Sequence, residues 1–310
     1  MTPETFTWLD FDQWTLQGYR WLPQGDIRGI IHILHGMTEH ALNYRKTAQF
    51  LTDHGFAVYA QDLRGHGQSA KLNPPLGYLG SNGWQAMIEN VKDIQDKIQT
   101  DFPEKPVFIL GHSMGTFLAQ AFAAKYGQNL KGLILSGTSF EPASVTLPSL
   151  ILAKTLSVIW GPKSKGKLFY SIIYGGFNRK FFPNRTPFDW LSRDNTEVDA
   201  YCADPLCGFV PSLSFFYELF SGLLALYGKN ELKMISKNLP IYLFSGDSDP
   251  VSHNGKSLKT LIALYRKRGN PLDYHLYKDG RHVMLAETNA AMVHDNLLHW
   301  IEAHLERKYI

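Results

Sequence analysis

Val107-Phe108-Ile109-Leu110-Gly111-His112-Ser113-Met114-Gly115 is the stretch on which the reading of this chain turns. Four apolar, β-prone residues lead into G-x-S-x-G, and the residues after it, Thr116 to Lys125, are rich in alanine and other helix formers. A strand running through so tight a turn into a helix puts the serine at a strained apex. Glycines two before and two after it leave room for the crossing backbones. Ser113 Oγ then projects at a helix N-terminus, where the helix dipole favours developing negative charge. Five such residues alone occur by chance; between a strand and a helix they mark a nucleophile.

Outward from this turn the chain alternates. Residues 5–11 and 14–22 read as a hairpin, followed by short apolar runs at 29–34, 56–61, 107–110, 132–135, 241–244 and 274–277. Helical spacing fills 43–53, 83–99, 116–126, 257–268 and 289–306; in the last, Met292, Val293, Leu297, Trp300, Ile301 and Leu305 share one face. Such alternation predicts an α/β fold with a mostly parallel eight-stranded sheet flanked by helices. The rhythm breaks between residues 140 and 238, where aromatic residues become dense. That segment is expected to be a mainly helical cap inserted between the sixth and seventh strands of a core domain made of 1–139 and 239–310.

A serine needs a base, and the base an orienting acid. When the nucleophile sits at such a turn, the chain order is serine, acid, histidine. Two acids compete in Ser245-Gly246-Asp247-Ser248-Asp249-Pro250. Asp249 lies deeper in the loop, with Pro250 to hold its turn, and is preferred; Asp247 suits a turn cap. Of twelve histidines, His282 alone follows the last strand and precedes the last helix, so it is the expected base. Two backbone N–H donors must hold the oxyanion. Met114, after the nucleophile, supplies one. Met37 in His35-Gly36-Met37-Thr38 supplies the other, and His35 is expected to shape that loop.

Composition narrows the classes. With 44% apolar and 19% charged residues the chain can bury a sizeable core, and a net charge of +3 is too mild for a nucleic-acid binder. Cys202 and Cys207 are expected to be free thiols. Neither a metal nor a cofactor is required by this chemistry. The N-terminus lacks a signal-peptide pattern, and the longest apolar run, 147–160, is short and contains Lys154. A cytoplasmic protein is therefore expected, of unspecified oligomeric state.

Three motifs together, His35-Gly36-Met37-Thr38-Glu39-His40, Asp62-Leu63-Arg64-Gly65-His66-Gly67-Gln68-Ser69 and Gly111-His112-Ser113-Met114-Gly115, resemble the monoglyceride lipase and lysophospholipase branch of the α/β-hydrolases, also called serine aminopeptidase S33 or hydrolase 4. Segments 189–194, 197–199 and 204–209 resemble bacterial members of that branch. The resemblance implies a triad of Ser113, Asp249 and His282, with Met37 and Met114 as oxyanion donors. It places Thr116 where many relatives carry a third glycine, narrowing the space beside the serine, and gives Asp62 and Arg64 bracing roles.

The leading expectation is hydrolysis of a small-molecule or lipid-like carboxylic ester on an apolar acyl chain. An aminopeptidase is the second reading; it would need acids such as Glu197, Asp199 and Asp204 to face the site and bind a free amine. A non-catalytic binding protein is the remote third. Transient contact of the cap with a membrane, through Phe215-Phe216-Tyr217 and Leu219-Phe220, is weighed against packing of that face onto the core, which is preferred.

Overall fold

Eight extended runs pair into one sheet: β1 (Glu4–Leu9), β2 (Thr15–Trp21), β3 (Gly29–Leu34), β4 (Phe56–Gln61), β5 (Val107–His112), β6 (Leu130–Ser136), β7 (Ile241–Gly246) and β8 (Leu272–Tyr277). Their spatial order is β1-β2-β4-β3-β5-β6-β7-β8. The β1–β2 and β2–β4 pairs are antiparallel and the rest of the sheet is parallel. This computed structural model describes residues 1–229 and 231–305; Glu306, which the sequence assigns to the last helix, lies outside them.

Every residue of β3, β4, β5 and β7 is buried. Strands covered on both faces need apolar side chains on both, which is why these runs do not alternate with polar residues. Within β5, Ile109 joins one core cluster while Phe108 and Leu110 join the other across the sheet. That is the period-2 geometry of a strand. β8 differs: at the open edge it leaves most of its residues exposed, although its sequence reads like the others.

The core helices are α1 (Arg45–Asp53), α2 (Gly67–Leu72), α3 (Gly83–Asp101), α4 (Met114–Tyr126), α9 (Lys256–Arg268) and α10 (Ala290–Leu305). The short α2 was not anticipated. On α10, Val293, Leu297, Trp300 and Ile301 are buried, but Met292, assigned to the same face, is 48% exposed. It sits one residue before Val293, about 100° around the helix, and so turns outward.

Between β6 and β7 lie α5 (Ala143–Trp160), α6 (Lys167–Tyr174), α7 (Asn195–Ala203) and α8 (Leu213–Leu223). α8 packs along α5 and reaches α3 and α4, so Phe215 and Phe216 are fully buried. The Phe215–Phe220 face thus packs inward. The exposed apolar surface lies instead on α5, where Leu147, Ile151, Val158, Ile159 and Trp160 are all solvent-facing. The helix also starts earlier than the apolar run suggested. At 18 residues it is long and apolar enough to cross a membrane by length and composition alone.

Candidate active site

Ser113 follows β5 and precedes α4 with φ +50° and ψ −120°, a region that a residue with a Cβ enters only under constraint. The constraint is visible around it. Its N–H donates to Ser136 O on β6 (2.9 Å), and its carbonyl accepts from Thr116 N–H (2.9 Å). A Cβ on Gly115 would drive into the Leu34 carbonyl, and one on Gly111 into the Gly115 carbonyl. No other residue type fits either place.

Thr116 does not crowd the serine as the resemblance implied. It is fully buried, with Oγ1 2.7 Å from Ser113 O and 2.8 Å from Thr138 Oγ1. It braces the turn from below and is not part of the cavity wall.

Asp249 and His282, the candidate acid and base, lie in contact, although 33 residues separate them. Asp249 and His282 are both buried, and Oδ1 of Asp249 lies 3.0 Å from His282 Nδ1. Val251 N–H donates to the same oxygen (2.9 Å) and Ser245 Oγ to the other (2.9 Å), so the carboxylate is held on both sides. The rival, Asp247, is used elsewhere: it accepts from Asp279 N–H (2.8 Å) and Ser248 Oγ (3.1 Å), tying two loops together. His112, chain neighbour of Ser113, places its ring 4.6 Å from that of His282, so the imidazole packs against the residue that precedes the serine. Burial and the adjacent His282 hold His112 well below the usual histidine range, so it adds no charge there.

Above β3, Gly36 comes so close to Ser113 that a Cβ on it would lie 3.0 Å from the serine Cβ. His35 shapes this loop with Nδ1 2.8 Å from Gly36 O and Nε2 accepting from Leu63 N–H (2.9 Å). Among the described residues, neither the Met37 nor the Met114 N–H is donated to a protein acceptor, and both residues line the same cavity as Ser113. Asp62 takes Ala41 N–H (2.9 Å) and Gln68 N–H (2.7 Å), while Arg64 is sealed against Asp10 and Trp14. Both brace loops outside the cavity.

Several contributors carried no local signal. Glu39 is a buried carboxyl whose Oε1 accepts from Gly36 N–H and from Tyr44 OH (2.7 Å); burial raises its pKa. Trp190, from the insertion, accepts the His282 N–H (3.3 Å) on its carbonyl and packs its ring, tilted, 5.2 Å from the imidazole. Arg281 donates to Ser192 O (3.0 Å) and lies over the Phe181 ring. Arg193 pairs with the buried Glu287 (2.9 Å). The insertion is thereby pinned to the loop that carries His282.

The cavity measures about 840 Å³ and opens to solvent, near the top of the roughly 300–1,000 Å³ of small-molecule sites. Phe117, Leu152, Phe169, Ile173, Phe220 and Leu223 form its greasy wall.

Residues 25–289 match the family model described as serine aminopeptidase, S33. The chain belongs to that family. It is 27% identical over 281 residues to monoglyceride lipase of Homo sapiens, covering 89% of this chain and 83% of that one. To monoacylglycerol lipase of Mycolicibacterium smegmatis it is 27% identical over 288 residues, 92% of each. The solved structure of a highly thermostable carboxyl esterase from Bacillus coagulans, in complex with glycerol, superposes with a TM-score of 0.91 at 25% identity, covering 98% of this chain and 99% of that one. The fold is that of the α/β-hydrolases.

One other cluster has metal-ligating types: His40, Asp204 and Cys207, whose donor atoms lie within 4.8 Å of one another. His40 Nε2 and Asp204 Oδ2 already pair at 2.8 Å. Burial pushes the Cys207 thiol well up, away from the thiolate that a metal would need. The cluster serves as a contact between the loop after β3 and the insertion.

Proposed function

We propose that this chain is a serine ester hydrolase acting on lipid-like acyl esters such as monoacylglycerols. The observation that carries the reading is the buried Asp249–His282 pair, whose imidazole packs against His112, chain neighbour of a strained serine on the wall of an apolar cavity. Ser113 Oγ attacks the ester carbonyl carbon while His282 Nε2 takes its proton. The Met37 and Met114 N–H groups hold the oxyanion. As the ester C–O bond breaks, His282 returns the proton to the departing alcohol. Water then attacks the acyl-enzyme, again giving a proton to His282, and the acid product leaves with Ser113 restored. Asp249 keeps His282 in the tautomer with Nδ1 protonated and offsets its transient charge.

The peptidase reading loses its amine site. Glu197 pairs with Lys46, Asp199 with Arg185 and Asp204 with His40, and none of the three lines the cavity. Residues 140–238 act as a cap, on this reading, since α5, α6 and α8 supply most of the apolar wall. The exposed face of α5 supports transient contact with a lipid surface. Its inner face lines the cavity through Val145, Pro148 and Leu152, which favours lying on a surface over crossing a bilayer. A fluorophosphonate probe tests the core claim: wild type labels and Ser113→Ala does not. Equal labelling of both would overturn it.

A further inference from the structure

The cavity is uneven in charge. Besides its greasy wall, the stretch 177–181, the loop after Asp249 and the first residue of α9 contribute Arg179, Lys180, His253, Asn254 and Lys256 to the lining, with the three cations solvent-exposed. Lys180 Nζ lies 3.1 Å from Ser248 Oγ and 3.1 Å from Asn254 Oδ1, clasping the two walls together without meeting a carboxylate. Among the described residues, the side chains of Arg179 and Lys256 have neither a hydrogen bond nor an ion pair. Among the described residues the single acid on the cavity wall is Glu141, which accepts from Ser139 Oγ (2.8 Å), and burial favours its neutral form. Three solvent-exposed cations without an acidic partner among the described residues therefore line a pocket whose wall is otherwise largely apolar.

Cations left unpaired at a site wait for an anion from outside the chain. An amphiphile held at Ser113 by its ester has one orientation that satisfies both halves: acyl chain toward Phe169, Phe220 and Leu223, alcohol portion toward the rim. Building on the ester-hydrolase reading, we propose that the rim formed by Arg179, Lys180 and Lys256 is a subsite for an anionic phosphate on the leaving alcohol, so that acyl glycerophosphates are preferred to neutral acylglycerols. The bond broken is the same acyl C–O bond, and the phosphate stays on the alcohol. Arg179 offers a two-pronged contact to phosphate oxygens and Lys256 a point charge.

The test uses octanoyl esters, monomeric at the concentrations employed, of glycerol phosphate, glycerophosphocholine and glycerol. Wild type should show kcat/KM about tenfold higher for the glycerol phosphate ester than for the glycerol ester, mostly through KM and weakening with salt. In the pair Arg179→Gln/Lys256→Gln that ratio should fall to near one, and in Arg179→Glu/Lys256→Glu below one. Equal kcat/KM for the charged and neutral esters in wild type, or an unchanged ratio in both variants, would overturn the subsite. A preference seen only when anionic vesicles carry the substrate would also overturn it, assigning the cations to a membrane surface. Failure of wild type to turn over any of the three esters or to take a fluorophosphonate label would strike the hydrolase reading itself.

Discussion

Two apolar helices of this molecule, α4 and α5, have opposite fates. α4 has 13 residues, of which Met114 to Ala123 are all buried; α5 has 18, of which Thr146 and Ala153 alone are buried. Both are apolar nearly all round. α4 is thrust against the parallel sheet by the turn at Ser113 and is covered by α3 and the insertion. α5 rests on α8 along one side and leaves the remainder in water. Apolar composition shows that a helix wants cover, but where the cover comes from depends on what the rest of the chain brings. On α4 it is this protein's own core. On α5, we propose, it is lipid.

The largest expected effect sharpens the core side of that contrast. Asp249→Asn should lower kcat on a soluble ester by about 10⁴-fold, because the amide favours the wrong histidine tautomer. Asp247→Asn, two residues away, should leave kcat within about threefold and register instead as about 1 kcal/mol of lost stability, measured by urea unfolding. Comparable kinetic losses in both variants would mean that the two acids share a role. On the insertion side, replacing Val158, Ile159 and Trp160 by glutamine should reduce hydrolysis of emulsified long-chain esters about tenfold. Hydrolysis of a water-soluble acetate ester should change little. Loss on both substrates alike would break the contrast by showing that this face supports the fold.

The smallest effect concerns acid. His32 and His66 are buried without charge, and loss of water contact lowers each to about 4. Their unfolded values are near 6.5, so the unfolded state binds more protons throughout that interval. Stability is therefore full above about 6.5 and falls as pH drops toward 4, by on the order of 3 kcal/mol for His32. Glu39 works in the reverse sense: its raised pKa means that stability declines as pH rises past the ordinary glutamate range. Glu39→Gln should flatten that decline in thermal melts, whereas His32→Gln should flatten the acid limb. Unchanged melts would show that neither group is buried as described.

Much of the core was legible because its signals are local. The runs at β3, β4, β5 and β7 are apolar since both sheet faces are covered, and Gly111 and Gly115 flank Ser113 since no Cβ fits beside the Leu34 and Gly115 carbonyls. β8 read like an inner strand and proved to be an edge, because one strand's sequence does not say who lies beside it. Met292 was misplaced by one position on its helix. The contacts that hold His282 from the insertion, through Trp190, Arg281 and Glu287, join residues about 90 positions apart, and nothing short-range marks them.

Sequence alone determined the fold and marked Ser113 as the candidate nucleophile of the proposed triad, since a strand, a sharp turn and a helix around that serine leave few alternatives. Tertiary structure set Asp249 apart from Asp247, because their partners differ, Asp279 and Ser248 for Asp247, His282 for Asp249. It also showed that Thr116 braces the elbow and that the apolar surface lies on α5. Each of these depends on which residues distant in the chain come to rest against one another, and that is settled by packing.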